Sequence, residues 1–112
     1  MQAKALDEAI GALAHPARRE LVRLCTDRER SAGELGERLN LRQPATSQHL
    51  RVLRDAGLVT VRPDANRRLY RVDFVRLAEV RAALDDLWGS RLPALKRAAE
   101  ARAARGRGAR PR

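Results

Sequence analysis

The sequence predicts a mainly α-helical domain with one small β-hairpin, and three observations carry that reading. Apolar residues recur with the 3.6-residue period of a helix through most of the chain. After Gly57 the pattern changes to two short β-branched runs, LVTVRP and RRLYRVD, joined by Asp64, Ala65 and Asn66, which is the signature of a hairpin. Of the 112 residues 44% are apolar but only 3% aromatic, so one modest core is expected, and a second subunit would help to cover it.

The elements follow in order. Leu6, Ala9, Ile10 and Leu13 fall at i, i+3, i+4 and i+7 on a first helix that stops at His15-Pro16. Pro16 suits the first turn of a second helix, where its missing N–H costs nothing, and Ala17, Leu21, Leu24 and Cys25 make that helix's buried side. Ser31-Ala32-Gly33-Glu34 has the spacing of a capping box at the head of a third helix, with Ala32, Leu35 and Leu39 facing inward. A fourth helix carries Pro44 in its first turn and ends on Gly57 as a left-handed cap. Beyond the hairpin, Asp73 caps a helix striped by Leu77, Val80, Leu84, Leu87 and Trp88. Gly89-Ser90 and Pro93 interrupt it, and Leu92 and Leu95 lead into a last helix that dissolves into the tail. Five to six helices are expected, with residues 1–95 as the folded domain and 96–112 as a basic helix end and disordered tail.

Two short helices with a tight link, followed by a hairpin, is the order of a winged helix-turn-helix. With Leu50 as reference at 100° per residue, Thr46, His49 and Leu53 share the inner side of the fourth helix. Pro44, Ser47, Gln48, Arg51 and Asp55 lie on the outer side. Serine and glutamine near a helix N-terminus can reach base edges in a major groove, while the terminus itself favours phosphate. An ordinary solvated helix face would look the same. The hairpin tip tilts the balance, because Asn66, Arg67 and Arg68, with Arg62 and Arg71 nearby, supply the cations that phosphate anchoring requires.

The net charge is +10, of which residues 96–112 hold +6 and residues 1–95 only +4. A basic, arginine-rich tail is most often simply solvated, so total charge says less than the placement of the wing arginines. MQAKALDEAIG lacks the apolar core of a signal peptide and no stretch approaches a membrane span, so a cytoplasmic protein is expected. A lone cysteine, Cys25, excludes an intramolecular disulfide.

ALAHPARRELVRLC, followed by SAGELGERLNLRQPATSQHLRVLRDAGLVTVRPDANRRLYRV, closely resembles the ArsR family of bacterial winged-helix transcriptional repressors over about residues 5–95. The resemblance implies a homodimer whose fourth helix enters the major groove of DNA and whose wing touches backbone or minor groove. It also implies an interface made by the first and last helices. The expected DNA contacts are Gln43, Pro44, Ser47, Gln48 and Arg51 on the helix and Arg62, Asn66, Arg67 and Arg68 on the wing. Leu6, Ile10, Leu13, Leu77, Leu84 and Trp88 are the expected interface. Thr46 stands where the family usually has an apolar β-branched residue.

Metal-sensing relatives carry a Cys-x-Cys pair at the start of the third helix, where this chain has Ser31, Ala32 and Gly33. Others use Asp and His on the C-terminal helix, where this chain has Asp85 and Asp86 but no histidine beyond Val52. Zinc wants about four ligands. His15, His49 and Cys25 fall on three different elements and read as a helix-boundary residue, a half-buried residue able to bond backbone, and a small core residue. No metal or cofactor is therefore expected. No catalytic carboxylate pair, Ser/His/Asp set or phosphate-cradling glycine loop can be assembled, so an enzyme is not expected either. The favoured function is a dimeric repressor acting on a palindromic operator of its own or a neighbouring operon, its inducer unspecified. A winged-helix protein-interaction module with a merely solvated basic surface is the alternative.

Overall fold

The computed structural model describes residues 1–87, Gly89 and 92–108. In chain order the elements are α1 (Ala3–Leu13), α2 (Pro16–Asp27), β1 (Arg30–Ser31), α3 (Ala32–Leu39), α4 (Gln43–Asp55), β2 (Val59–Asp64), β3 (Arg67–Val72), α5 (Phe74–Asp85) and α6 (Leu92–Gly108). Among the described residues these are six helices and one antiparallel sheet of order β1-β3-β2, the mainly α, winged architecture expected. The chain divides into two units, Met1–Arg81 and Ala82–Arg112.

The α1–α2 corner explains the ALAHPARR stretch. His15 is the N-cap of α2, its Nδ1 accepting the Ala17 N–H at 3.1 Å, and Pro16 opens the helix. Arg18 Nε then donates to the Ala12 carbonyl at 2.7 Å, while Arg19 Nη1 donates to those of Leu13 and Ala14 at 2.9 and 3.0 Å. Two guanidinium groups thus satisfy carbonyls left open at the end of α1 and place positive charge at the negative end of its dipole. Leu21, Val22, Leu24 and Cys25 bury the inner side of α2, against Ala9 and Ala12 from α1 and Leu50, Leu53, Leu58 and Val72 elsewhere in the core.

Two local expectations need correction. The sequence predicts no strand ahead of the third helix, yet Arg30 and Ser31 pair with Tyr70 and Leu69 of β3. The capping box forms by half. Ser31 Oγ accepts the Glu34 N–H at 3.1 Å, but the Glu34 carboxylate turns to Arg30, to Arg28 at 3.0 Å and to Arg38 at 3.3 Å. Charge-assisted bonds to guanidinium outcompete one to a neutral backbone N–H. Arg30 is only 5% exposed, and its Nε donates to the Leu24 carbonyl at 2.8 Å, so Glu34 neutralises a cation inside the fold.

The turn between α3 and α4 depends on Asn40, which adopts the left-handed conformation at φ 53° and lets the Leu41 N–H reach the Gly36 carbonyl at 2.8 Å. At the far end of α4, Gly57 at φ 76° does the same work. Its N–H donates to Arg54 and the next N–H, from Leu58, donates to Leu53 at 3.0 Å, closing a Schellman turn that feeds β2. β2 and β3 pair from Val59↔Val72 to Asp64↔Arg67 around Ala65-Asn66. The Asp73 N–H bonds to the Leu58 carbonyl at 2.9 Å at the hairpin base, and its carboxylate caps α5 through the Arg76 N–H at 3.0 Å.

On α5 only Val80 is fully buried, leaving Phe74 51% and Val75 71% exposed. α6 continues to Gly108, further than expected for a stretch read mostly as tail, because its many alanines with arginine and glutamate favour helix. Trp88, expected in the apolar stripe, lies outside the described residues.

Candidate nucleic-acid interface

α4 is held by its inner side and offers its outer side. Leu50 and Leu53 are 1% and 0% exposed, each such burial stabilising by roughly 2 kcal/mol. Thr46 is 2% exposed and donates its hydroxyl to the Arg42 carbonyl at 3.1 Å, which lets a polar residue occupy a core position usual for an apolar one. A Cβ added to Gly36 would stand 2.9 Å from Thr46 Oγ1, so glycine here permits α3 and α4 to cross this closely. Gln43, Pro44, Ser47, Gln48 and Arg51 are all exposed, as expected. Gln43 and Ser47 also line a cleft of about 450 Å³ between α3 and α4, with Glu37 and Asn40 on its far wall. No side chain caps the start of α4, so its leading N–H groups are open to an anion.

The wing arginines are not equivalent, a distinction invisible in the sequence. Arg62 Nε bonds Glu29 at 2.7 Å, which turns its guanidinium toward the residue just before β1. Arg67 bonds Asp64 at 3.1 Å across the turn. Arg68, Asn66 and Arg71 are exposed, and among the described residues Arg68 and Arg71 have no carboxylate within ion-pair distance. Both arginines are exposed while Glu29 and Asp64 are half-buried, so these pairs are weak and each guanidinium can still turn to a phosphate.

Residues 13–62, from the end of α1 into β2, match a family model described as a helix-turn-helix domain. The chain is 43% identical over 82 residues to the HTH-type transcriptional regulator Rv2034 of Mycobacterium tuberculosis, covering 73% of this chain and 77% of that one. It is 45% identical over 85 residues to the biofilm growth-associated repressor of Agrobacterium fabrum, covering 74% and 68%. The solved ArsR-like transcriptional regulator from Rhodococcus sp. RHA1 superposes with a TM-score of 0.70 at 27% identity, over 86% of this chain and 93% of that one. The chain belongs to the ArsR family of winged helix-turn-helix regulators. It is a DNA-binding transcriptional regulator and not an enzyme.

Within this ArsR chain the two histidines, separate in sequence, meet in space. The rings of His15 and His49 stand 4.5 Å apart at 55°, joining the α1–α2 corner to α4. The Nδ1 of His49 is buried without a hydrogen-bond partner, so the backbone bond expected for it is not made at that atom. Burial first, then the proximity of His15 and Arg18, holds the His49 pKa below its ordinary value. Cys25 remains in the core, where burial pushes its thiol up to about 11 and makes it a poor nucleophile. Among the described residues no group of three or more His, Cys, Asp or Glu side chains is arranged to hold a metal ion. No helix among them is long and apolar enough to cross a membrane.

Proposed function

We propose that this ArsR protein is a homodimeric repressor that reads a palindromic operator of its own or a neighbouring operon and uses no metal as its signal. The observation that carries this reading is the outer edge of α4, where Gln43, Ser47 and Gln48 are exposed on a helix locked from behind by Leu50 and Leu53. Donor–acceptor side chains on a rigid helix are what base recognition in a major groove needs. Pro44 and Arg51 flank that edge, and Arg62, Asn66, Arg67 and Arg68 serve the sugar-phosphate backbone beside it.

Dimerisation would join residues 1–95 into a two-fold DNA-binding body through Leu6, Ile10, Leu13, Leu77, Leu84 and Trp88, with 96–112 as a basic extension. The 40% exposure of Ile10 and the open flank of α5 at Val75 support an unfilled apolar face. Two reading helices related by such an axis would stand about 34 Å apart, one turn of duplex. The cytoplasm, where the chromosome lies, is the compartment this role requires. Titration with the DNA upstream of the protein's own gene, at several zinc and chelator concentrations, tests the proposal. Tight binding indifferent to metal is expected; release by micromolar zinc would remove the metal-free part of it.

A further inference from the structure

We infer that Arg54 and Arg68 form a cradle for one DNA phosphodiester in the angle between the reading helix and the wing. This rests on the DNA-reading role of α4 and adds Arg54, which the sequence did not single out. Both arginines open onto one cleft of about 270 Å³ whose other lining residues are Val61, Arg62 and Pro63. The backbone fixes both. Arg54 lies in the last turn of α4, and its carbonyl accepts the Gly57 N–H at 2.9 Å in the turn that launches β2. Arg68 is paired with Pro63, and Val61, two residues before Pro63, shares that face of the sheet.

The charge balance of the cleft points to an anion. Arg62 is held by Glu29 at 2.7 Å, while among the described residues neither Arg54 nor Arg68 has a carboxylate within ion-pair distance. Both are exposed, so neither is needed to hold the core. Two guanidinium groups directed at one concavity repel each other until an anion enters, and the guanidinium fork matches phosphate oxygens. A duplex that receives α4 in its major groove and meets the wing with its backbone must carry a strand of phosphates past this angle. That makes the occupant a backbone phosphate rather than a free one.

The test uses full-length protein and labelled duplexes, one from upstream of its own gene and one scrambled, titrated across a salt series. Arg54→Gln/Arg68→Gln should lower the log–log salt slope by about one unit on both duplexes and leave their affinity ratio unchanged, because a phosphate contact carries no sequence information; Arg54→Gln alone should lower it by part of that unit. A neutral methylphosphonate at one backbone position should cost the wild type about the same unit and cost the double variant nothing further. Arg54→Gln and Arg68→Gln, each keeping one guanidinium on that phosphate, should respond to the same single position and to a smaller extent than the wild type. Thermal melting should be unaltered in both variants.

Steep salt dependence in the wild type with an unchanged slope in Arg54→Gln/Arg68→Gln would overturn the cradle alone. A wild type without salt-dependent duplex binding would overturn the DNA reading and the cradle with it. If inorganic phosphate raises the melting temperature of the wild type but not of Arg54→Gln, while the duplex slopes stay equal, the cleft takes a free anion and the backbone assignment falls.

Discussion

Gly36→Ala puts one methyl group where α3 crosses α4. The new Cβ would lie 2.9 Å from Thr46 Oγ1, 3.3 Å from the Leu41 carbonyl oxygen and 3.7 Å from Thr46 Cβ. On its own, alanine favours a helix interior over glycine by about 1 kcal/mol and a buried methyl adds about 0.8 kcal/mol. Against that, Thr46 is 2% exposed and its hydroxyl is tied to the Arg42 carbonyl, so it cannot swing clear without breaking that bond. Overpacking costs roughly 1–3 kcal/mol and the lost bond about 1 kcal/mol. The net expectation is a loss of about 1 kcal/mol, or about 4 °C in melting temperature, together with weaker operator binding as α4 shifts. Thr46→Ala removes the obstructing oxygen and leaves only the 3.7 Å contact to that residue. The double variant should therefore melt above Gly36→Ala alone, a coupling readable in a double-mutant cycle by denaturant titration. A Gly36→Ala protein more stable than wild type, with undiminished DNA binding, would show that the helix crossing is not fixed by this contact.

Three further predictions bear on other parts of the molecule. Glu34→Ala leaves the buried Arg30 with the Leu24 carbonyl and only the longer 3.7 Å pair to Asp27, and should cost about 1–3 kcal/mol by denaturant titration. Because the bond from Arg30 holds the Glu34 carboxyl below its ordinary pKa, wild-type protein has that stabilisation in full above about pH 4.3 and loses it as the pH falls through the lower folded value. His49 behaves with the same pH sense for a different reason: burial lowers its folded pKa, so below about pH 6.5 the unfolded chain takes up a proton that the folded chain refuses. Stability should fall from pH 7 to 5, and His49→Leu should flatten that slope in melting curves. Ile10→Asp adds charge to a surface already 40% exposed, so the single chain should fold normally by circular dichroism while light scattering reports monomers. A dimer of wild-type affinity would exclude α1 from the interface.

Most of the fold was legible because punctuation and periodicity agreed. Pro16, Gly57 and Asp73 fall at element boundaries where their backbone chemistry is needed, and Leu21, Leu50 and Leu53 are buried at helical spacing. What escaped was made by tertiary contact. β1 is two residues long and exists because β3 pairs with it, which no local pattern can announce. His15 and His49 meet only after α1, α2 and α4 pack. Glu34 is different, since Arg38 stands one turn on in the same helix and Arg28 and Arg30 lie just before it, so its partners were within reach of the local sequence. A usable signal did exist for Arg18 and Arg19. Cations in the first turn after a His-Pro break stand beside the end of the preceding helix, where open carbonyls need donors. For the interface, the exposure of α4's outer edge followed from the wheel, whereas the division of the wing arginines into paired and open ones required the positions of Glu29 and Asp64.

Whether the outer edge of α4 reads bases is decided by measuring discrimination in the Ser47→Ala/Gln48→Ala variant. Both residues are exposed and outside the core, so the variant should fold and melt as the wild type does. Competition of operator against scrambled duplex at fixed salt should show the wild type preferring the operator. The variant should bind the two duplexes alike, since each lost base contact is worth ~1–3 kcal/mol of discrimination. A folded variant that retains the full preference would mean that the sequence is read somewhere other than this edge.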